Sequence, residues 1–64
     1  MSSAMFNYTK RILESVSFDL NLFNKELKKA LKSLLPYEIE ELKVWLANYI
    51  KQKPELNPSL QLIV

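Results

Sequence analysis

Residues 20–34 read LNLFNKELKKALKSL, and this stretch decides the fold class of the chain. At 100° per residue its apolar side chains fall within a sector about 100° wide, the stripe expected of a helix that faces a core. They are Leu20, Phe23, Leu27, Ala30, Leu31 and Leu34. The opposite side carries Lys25, Lys28, Lys29 and Lys32. The pattern predicts an amphipathic helix over about 19–34 with a basic outer face.

The residues on either side of this stretch predict where the helix begins and ends. Asp19 precedes it, and an aspartate there can accept hydrogen bonds from the first backbone N–H groups of a helix. Phe18 and Phe23 flank this cap at the spacing of a hydrophobic staple. Pro36 ends the helix and suits the first position of the next one, because proline has no N–H to leave unpaired.

Two other segments have apolar residues at helical spacing. The first covers about 6–16, with Asn7 as the expected N-cap, and residues 1–5 before it are expected to be disordered. Its apolar side comprises Met5, Phe6, Tyr8, Ile12, Leu13 and Val16. The other segment covers about 36–52, and its broad apolar face comprises Ile39, Leu42, Trp45, Leu46, Tyr49 and Ile50.

Tyr37 and Val44 lie nearly opposite the main apolar face of the third predicted helix, which favours a second contact for that helix. Residues 54–64 contain two prolines and end in apolar residues. We expect them to form an extended tail that packs on the side of Tyr37 and Val44 or on a neighbouring subunit. The candidate oligomer or partner contacts are Tyr37, Val44, Leu60, Leu62 and Val64.

The sequence thus predicts an all-α fold, a small three-helix bundle over 6–53 followed by the extended tail. A chain of 64 residues buries only about 60% of the surface that its unfolded form exposes. It has no cysteine and no histidine, so neither a disulfide nor the commonest metal ligand can stabilise a small core. We therefore expect self-association into a homodimer or a larger homo-oligomer.

Residue types argue against catalysis. Without histidine, cysteine or glycine the chain lacks a common general base, a thiol nucleophile and a glycine loop for phosphate. Glu38 and Glu41 are one helical turn apart and could hold a hard cation, but the three carboxylates at this helix start, which include Glu40, are explained more simply by the positive end of the helix dipole. We expect no enzymatic activity, no cofactor and no metal site.

The lysine stripe is the strongest alternative site, since Lys25, Lys28, Lys29 and Lys32 could contact phosphates. However, the formal charge of +2 does not demand a polyanionic partner. In a helix-turn-helix arrangement the third helix would enter the DNA groove with its three glutamates first, which is electrostatically wrong. A nucleic-acid partner is therefore possible but disfavoured, and an anionic membrane surface is weaker still, because the apolar side of the same helix is needed for the core.

The longest uninterrupted apolar run, Leu62-Ile63-Val64, is far shorter than the roughly 20 residues that span a bilayer. With no cysteine and no export signal, the expected compartment is the cytoplasm. One further set of residues comprises Tyr8-Thr9-Lys10, Ser17-Phe18-Asp19, the stretch from Leu22 to Leu27, Leu34-Leu35-Pro36 and Trp45. These residues resemble those of a family of short, uncharacterised all-helical bacterial proteins with no assigned function, and the resemblance implies a bacterial cytoplasmic protein.

By exclusion, the sequence predicts a protein-protein interaction or regulatory module that acts as a homo-oligomer and binds a further protein partner. The alternative is a small nucleic-acid-associated protein that uses the lysine face of the second predicted helix.

Overall fold

The computed structural model describes residues 4–63, which form four helices and no strand. Three are α-helices: α1 (Ala4–Ser15), α2 (Leu20–Ser33) and α3 (Pro36–Gln52). The fourth is a carboxyl-terminal 3-10 helix (Pro54–Leu62). The predicted all-α class is confirmed.

Helix α1 begins earlier than the sequence predicts. Ala4 and Met5 are helical, so the expectation of disorder is wrong for these two residues, and residues 1–3 lie outside the described part of the chain. Asn7 lies inside the helix and is not its N-cap.

The buried face of α1 also differs from the prediction. It consists of Phe6, Thr9 and Leu13, whereas Tyr8 is 61% exposed. The Thr9 hydroxyl donates a hydrogen bond to the carbonyl oxygen of Met5 at 2.9 Å. This bond satisfies the hydroxyl within the helix, so that a polar residue can share the apolar face.

Helix α2 begins as predicted but without its staple. Asp19 Oδ1 accepts hydrogen bonds from the backbone N–H groups of Asn21 at 2.9 Å and Leu22 at 3.2 Å, which confirms the N-cap. Phe23 is fully buried, but Phe18 is 79% exposed. The predicted packing of Phe18 on Phe23 is therefore wrong, because the turn after α1 directs Phe18 into solvent.

The start of α3 holds a buried carboxylate. Pro36 is the first residue of the helix, as predicted. Glu38 is only 3% exposed, and its Oε1 accepts a hydrogen bond from the backbone N–H of Leu35 at 2.9 Å. Glu38 thus serves as the carboxylate half of a capping box, a more specific role than a general interaction with the helix dipole. Glu40 and Glu41 stay exposed.

The extended tail is wrong, because Pro54–Leu62 forms a 3-10 helix that packs against α2 and α3. Its buried residues are Leu56 and Ser59, and Ile63 beyond it is also buried. The Ser59 hydroxyl donates a hydrogen bond to Asn24 Oδ1 of α2 at 2.7 Å. This hydrogen bond holds the segment against α2 on the core side of the helices. The segment therefore does not lie beside Tyr37 and Val44, where it was predicted.

The predicted contacts of the tail change accordingly. Tyr37 and Val44 are 54% and 65% exposed, so the 3-10 helix does not cover them. Leu60 and Leu62 are partly buried against the core, and Val64 lies outside the described residues.

One apolar cluster unites all four helices. Its buried members include Leu13 of α1, Leu27 of α2, Leu46 of α3 and Leu56 of the 3-10 helix. The radius of gyration is 10.6 Å, close to the value of about 10.7 Å expected for a compact domain of this length. A single copy of the described chain therefore closes its own core.

Candidate interaction surface

A shallow apolar groove lies between α1 and α2, with a volume of about 90 Å³. It forms because Ala30 and Ser33 on α2 are small and leave a depression opposite the larger side chains of α1. Met5, Tyr8 and Ile12 of α1 lie at positions i, i+3 and i+7 along one side of it. This feature is called the α1/α2 groove below; its lining is Met5, Tyr8, Thr9, Ile12, Leu13, Glu26, Lys29, Ala30 and Ser33.

Further apolar side chains are exposed near the turn that joins α1 and α2. Leu22 lies on the same face of α2 as Glu26, Lys29 and Ser33, at successive spacings of four, three and four residues. Its side chain is exposed, and Phe18 in the turn is more exposed still. Together with Met5 and Tyr8, these residues leave large apolar surface in water although the core is closed, which is typical of a contact surface.

The outer side of α2, next to the groove, is basic. The Lys29 Nζ lies 3.2 Å from Glu26 Oε2, and this pair forms part of the groove's edge. Lys25 and Lys32 come next around the helix from Lys29, and Lys28 lies farthest from the groove. All four lysines are exposed. On the opposite side, Arg11 is exposed one turn after Tyr8.

The outer face of α3 combines apolar and acidic residues. Tyr37 and Val44 lie two turns apart on one side of the helix, and Glu40 and Glu41 lie between them on that same side. All four side chains are exposed, and Glu40 Oε2 pairs with Lys43 Nζ at 3.1 Å. These four residues are called the α3 outer face below.

The aromatic residues of the inner face of α3 serve the fold. The rings of Trp45 and Tyr49 stack with centroids 4.9 Å apart, and Tyr49 stacks on Phe23 of α2 at 6.4 Å. Trp45 also borders a wide, open depression of about 550 Å³ along the exposed side of α1. The stack joins α3 to α2 and keeps Trp45 partly buried against the core.

The predicted contact residues do not come together in one place. Tyr37 and Val44 share the α3 outer face, whereas Leu60 and Leu62 lie on the 3-10 helix, partly within the core. The sequence interpretation also missed the exposed residues Met5, Tyr8, Phe18 and Leu22, because helical spacing or a staple pattern assigned three of them to the interior. The position of Leu22 outside the predicted apolar stripe of α2 was the sign in the sequence that this residue would be exposed.

Within residues 4–63 no three acidic side chains lie close enough together to hold a metal ion. None of the helices in this part of the chain has the length and hydropathy needed to cross a bilayer.

No family model, curated protein or solved structure matches the chain at a significant level. The fold and surface define a small all-α protein with an apolar groove between its first two helices. Its resemblance to short bacterial helical proteins stays a prediction.

Proposed function

We propose that this protein is a protein-protein interaction module, binding or regulatory in role, that acts as a homo-oligomer in the bacterial cytoplasm. The observation that carries the proposal is the exposure of Met5 and Tyr8 in the α1/α2 groove and of Phe18 and Leu22 near the turn between these helices. Because one copy already closes its core, these side chains are not needed for folding. Their exposure is explained if another polypeptide covers them.

The energetic argument favours a protein partner. Complete burial of a large apolar side chain contributes roughly 1.5–3 kcal/mol, so covering several of these side chains together would contribute substantially to association. Aromatic residues such as Tyr8 and Phe18 are enriched in protein interfaces, where they supply contact area at a small cost in side-chain entropy.

Sedimentation equilibrium of the full chain over a concentration series tests the proposal. We expect reversible self-association of the wild type, and weaker association of the variants Tyr8→Ser and Leu22→Ser. Gln61→Ser is the matched control, because Gln61 is exposed on the 3-10 helix, away from the groove. A wild type that stays monomeric throughout the series would contradict the homo-oligomer.

The second candidate is binding to a nucleic acid, favoured by the exposure of all four lysines on one side of α2. Against it, Lys29 is paired with Glu26, and the exposed start of α3 carries Glu40 and Glu41. Titration of duplex DNA at low salt separates the two candidates, because phosphate contacts are strongest there. Salt-sensitive binding that is lost in Lys28→Glu would support this second candidate.

A further inference from the structure

We infer that the occupant of the α1/α2 groove is the α3 outer face of a second copy of this chain. The inference rests on the proposed function and specifies which surfaces meet. The two surfaces match in apolar spacing and in charge.

The apolar residues of the two surfaces have the same spacing. Tyr37 and Val44 are seven residues apart on α3, which places them about 10.5 Å apart along the helix axis. Met5 and Ile12, near the two ends of the groove, are also seven residues apart and have the same separation along α1. A second copy could therefore place both of its exposed apolar side chains along the groove at once.

The charges of the two surfaces are opposite. Glu40 and Glu41 lie between Tyr37 and Val44 on the α3 outer face. Lys29 lines the groove, and the exposed Lys25 lies one turn before it on the outer side of α2, so that these two lysines flank the groove. Glu26 is the one acidic residue in the groove lining, and its carboxylate already pairs with Lys29. The flanks therefore present net positive charge to an incoming acidic helix.

The existing ion pairs on the two surfaces do not oppose this contact. The Glu40–Lys43 and Glu26–Lys29 pairs both join neighbouring turns of one helix, and such solvent-exposed pairs are weak. Breaking these pairs so that the lysines can approach a carboxylate of the second copy therefore costs little free energy. Electrostatic complementarity of this kind determines which surfaces meet and in which orientation.

The contact joins two different surfaces of the chain. Each copy carries one groove and one α3 outer face, so two copies can form two equivalent contacts across a twofold axis, which is an isologous dimer, or several copies can form a heterologous ring. Either arrangement uses the groove and the α3 outer face of every copy. The groove is shallow, with a volume of only about 90 Å³, so we expect reversible rather than permanent association.

Charge reversal on each surface tests the inference. The variant Lys25→Glu/Lys29→Glu makes the groove flanks acidic, and Glu40→Lys/Glu41→Lys makes the α3 outer face basic. Each variant alone places like charges opposite each other, and we expect its self-association to weaken by about tenfold or more. Mixing the two variants should restore association as a 1:1 complex, because the acidic groove of one accepts the basic helix of the other.

The matched control is Lys28→Glu, compared with Lys29→Glu alone, because both change the net charge by the same amount on the same helix but Lys28 lies farther around it from the groove. Lys28→Glu should associate as the wild type does. The uncharged variant Tyr37→Ser should also weaken association, and since Tyr37 is exposed this variant leaves the core intact. Circular dichroism of every variant at the assay temperature verifies that it is folded.

Three results would overturn the inference. The first is equal weakening of self-association by Lys28→Glu and by Lys29→Glu. The second is a mixture of the two charge variants that stays unassociated. The third is wild-type binding to duplex DNA or to anionic vesicles that competes with self-association. If self-association survives both charge reversals but is lost in Tyr8→Ser, the proposed function stands and this choice of surfaces is wrong.

Discussion

Helix α2 makes one fully buried contact, with the 3-10 helix, and one contact that leaves a groove, with α1. They are called the sealed contact and the open contact below. Where it meets the 3-10 helix, Leu56 and Ser59 are fully buried and a hydrogen bond joins Ser59 to Asn24. Where it meets α1, small residues leave the α1/α2 groove, and Tyr8 stays mostly in solvent. The comparison indicates that the fold depends on the first contact, whereas the second is available for binding.

The largest expected effect comes from breaking the sealed contact. Leu56→Ala removes most of a fully buried side chain from the 3-10 helix, and comparable leucine truncations cost about 2–5 kcal/mol in unfolding free energy. Urea denaturation followed by circular dichroism measures this loss. In a domain this small, we expect a large part of the total stability to disappear.

Leu22→Ala on the groove side is the control for that measurement. Leu22 is 40% exposed, so its truncation should lower the unfolding free energy clearly less, by about 1 kcal/mol. Equal losses for the two leucine variants would show that the two contacts do not differ as described.

The contrast between the two contacts also separates what the sequence could predict from what it could not. The Asp19 cap, the start of α3 at Pro36 and the buried stripe of α2 were predictable, since each depends on residues within a few positions of one another. The 3-10 helix was not, because its position depends on a hydrogen bond between Ser59 and Asn24, 35 residues apart.

The errors on α1 have a similar cause. Tyr8 shares a helical sector with Ile12, so its spacing indicates burial, yet α2 packs against the neighbouring sector that contains Thr9. A single helix cannot reveal which part of a broad apolar face its neighbour will cover. For the same reason the α1/α2 groove could not be predicted, since it exists only where two helices meet.

An intermediate effect is expected at the polar pair of the sealed contact. Ser59→Ala leaves Asn24 Oδ1 without its donor and should cost about 1–3 kcal/mol, near the lower end because Asn24 is only partly buried and water can reach it. A double-mutant cycle with Asn24→Ala measures the coupling by urea denaturation. We expect about 0.5 kcal/mol or more, since the two side chains touch. Purely additive losses would mean that the hydrogen bond does not hold the 3-10 helix.

The smallest effect on stability is expected at Phe18, beside the open contact. Phe18 is 79% exposed, so Phe18→Ser removes almost no buried area, and the unfolding free energy should stay within about 0.5 kcal/mol of the wild type. If Phe18 instead stapled the start of α2 by packing on Phe23, its loss would destabilise the protein clearly. Urea denaturation at a protein concentration below the onset of self-association distinguishes these outcomes, because association would otherwise add apparent stability. An unchanged unfolding free energy would show that the fold does not need the exposed ring of Phe18, which is expected of a residue in a contact surface.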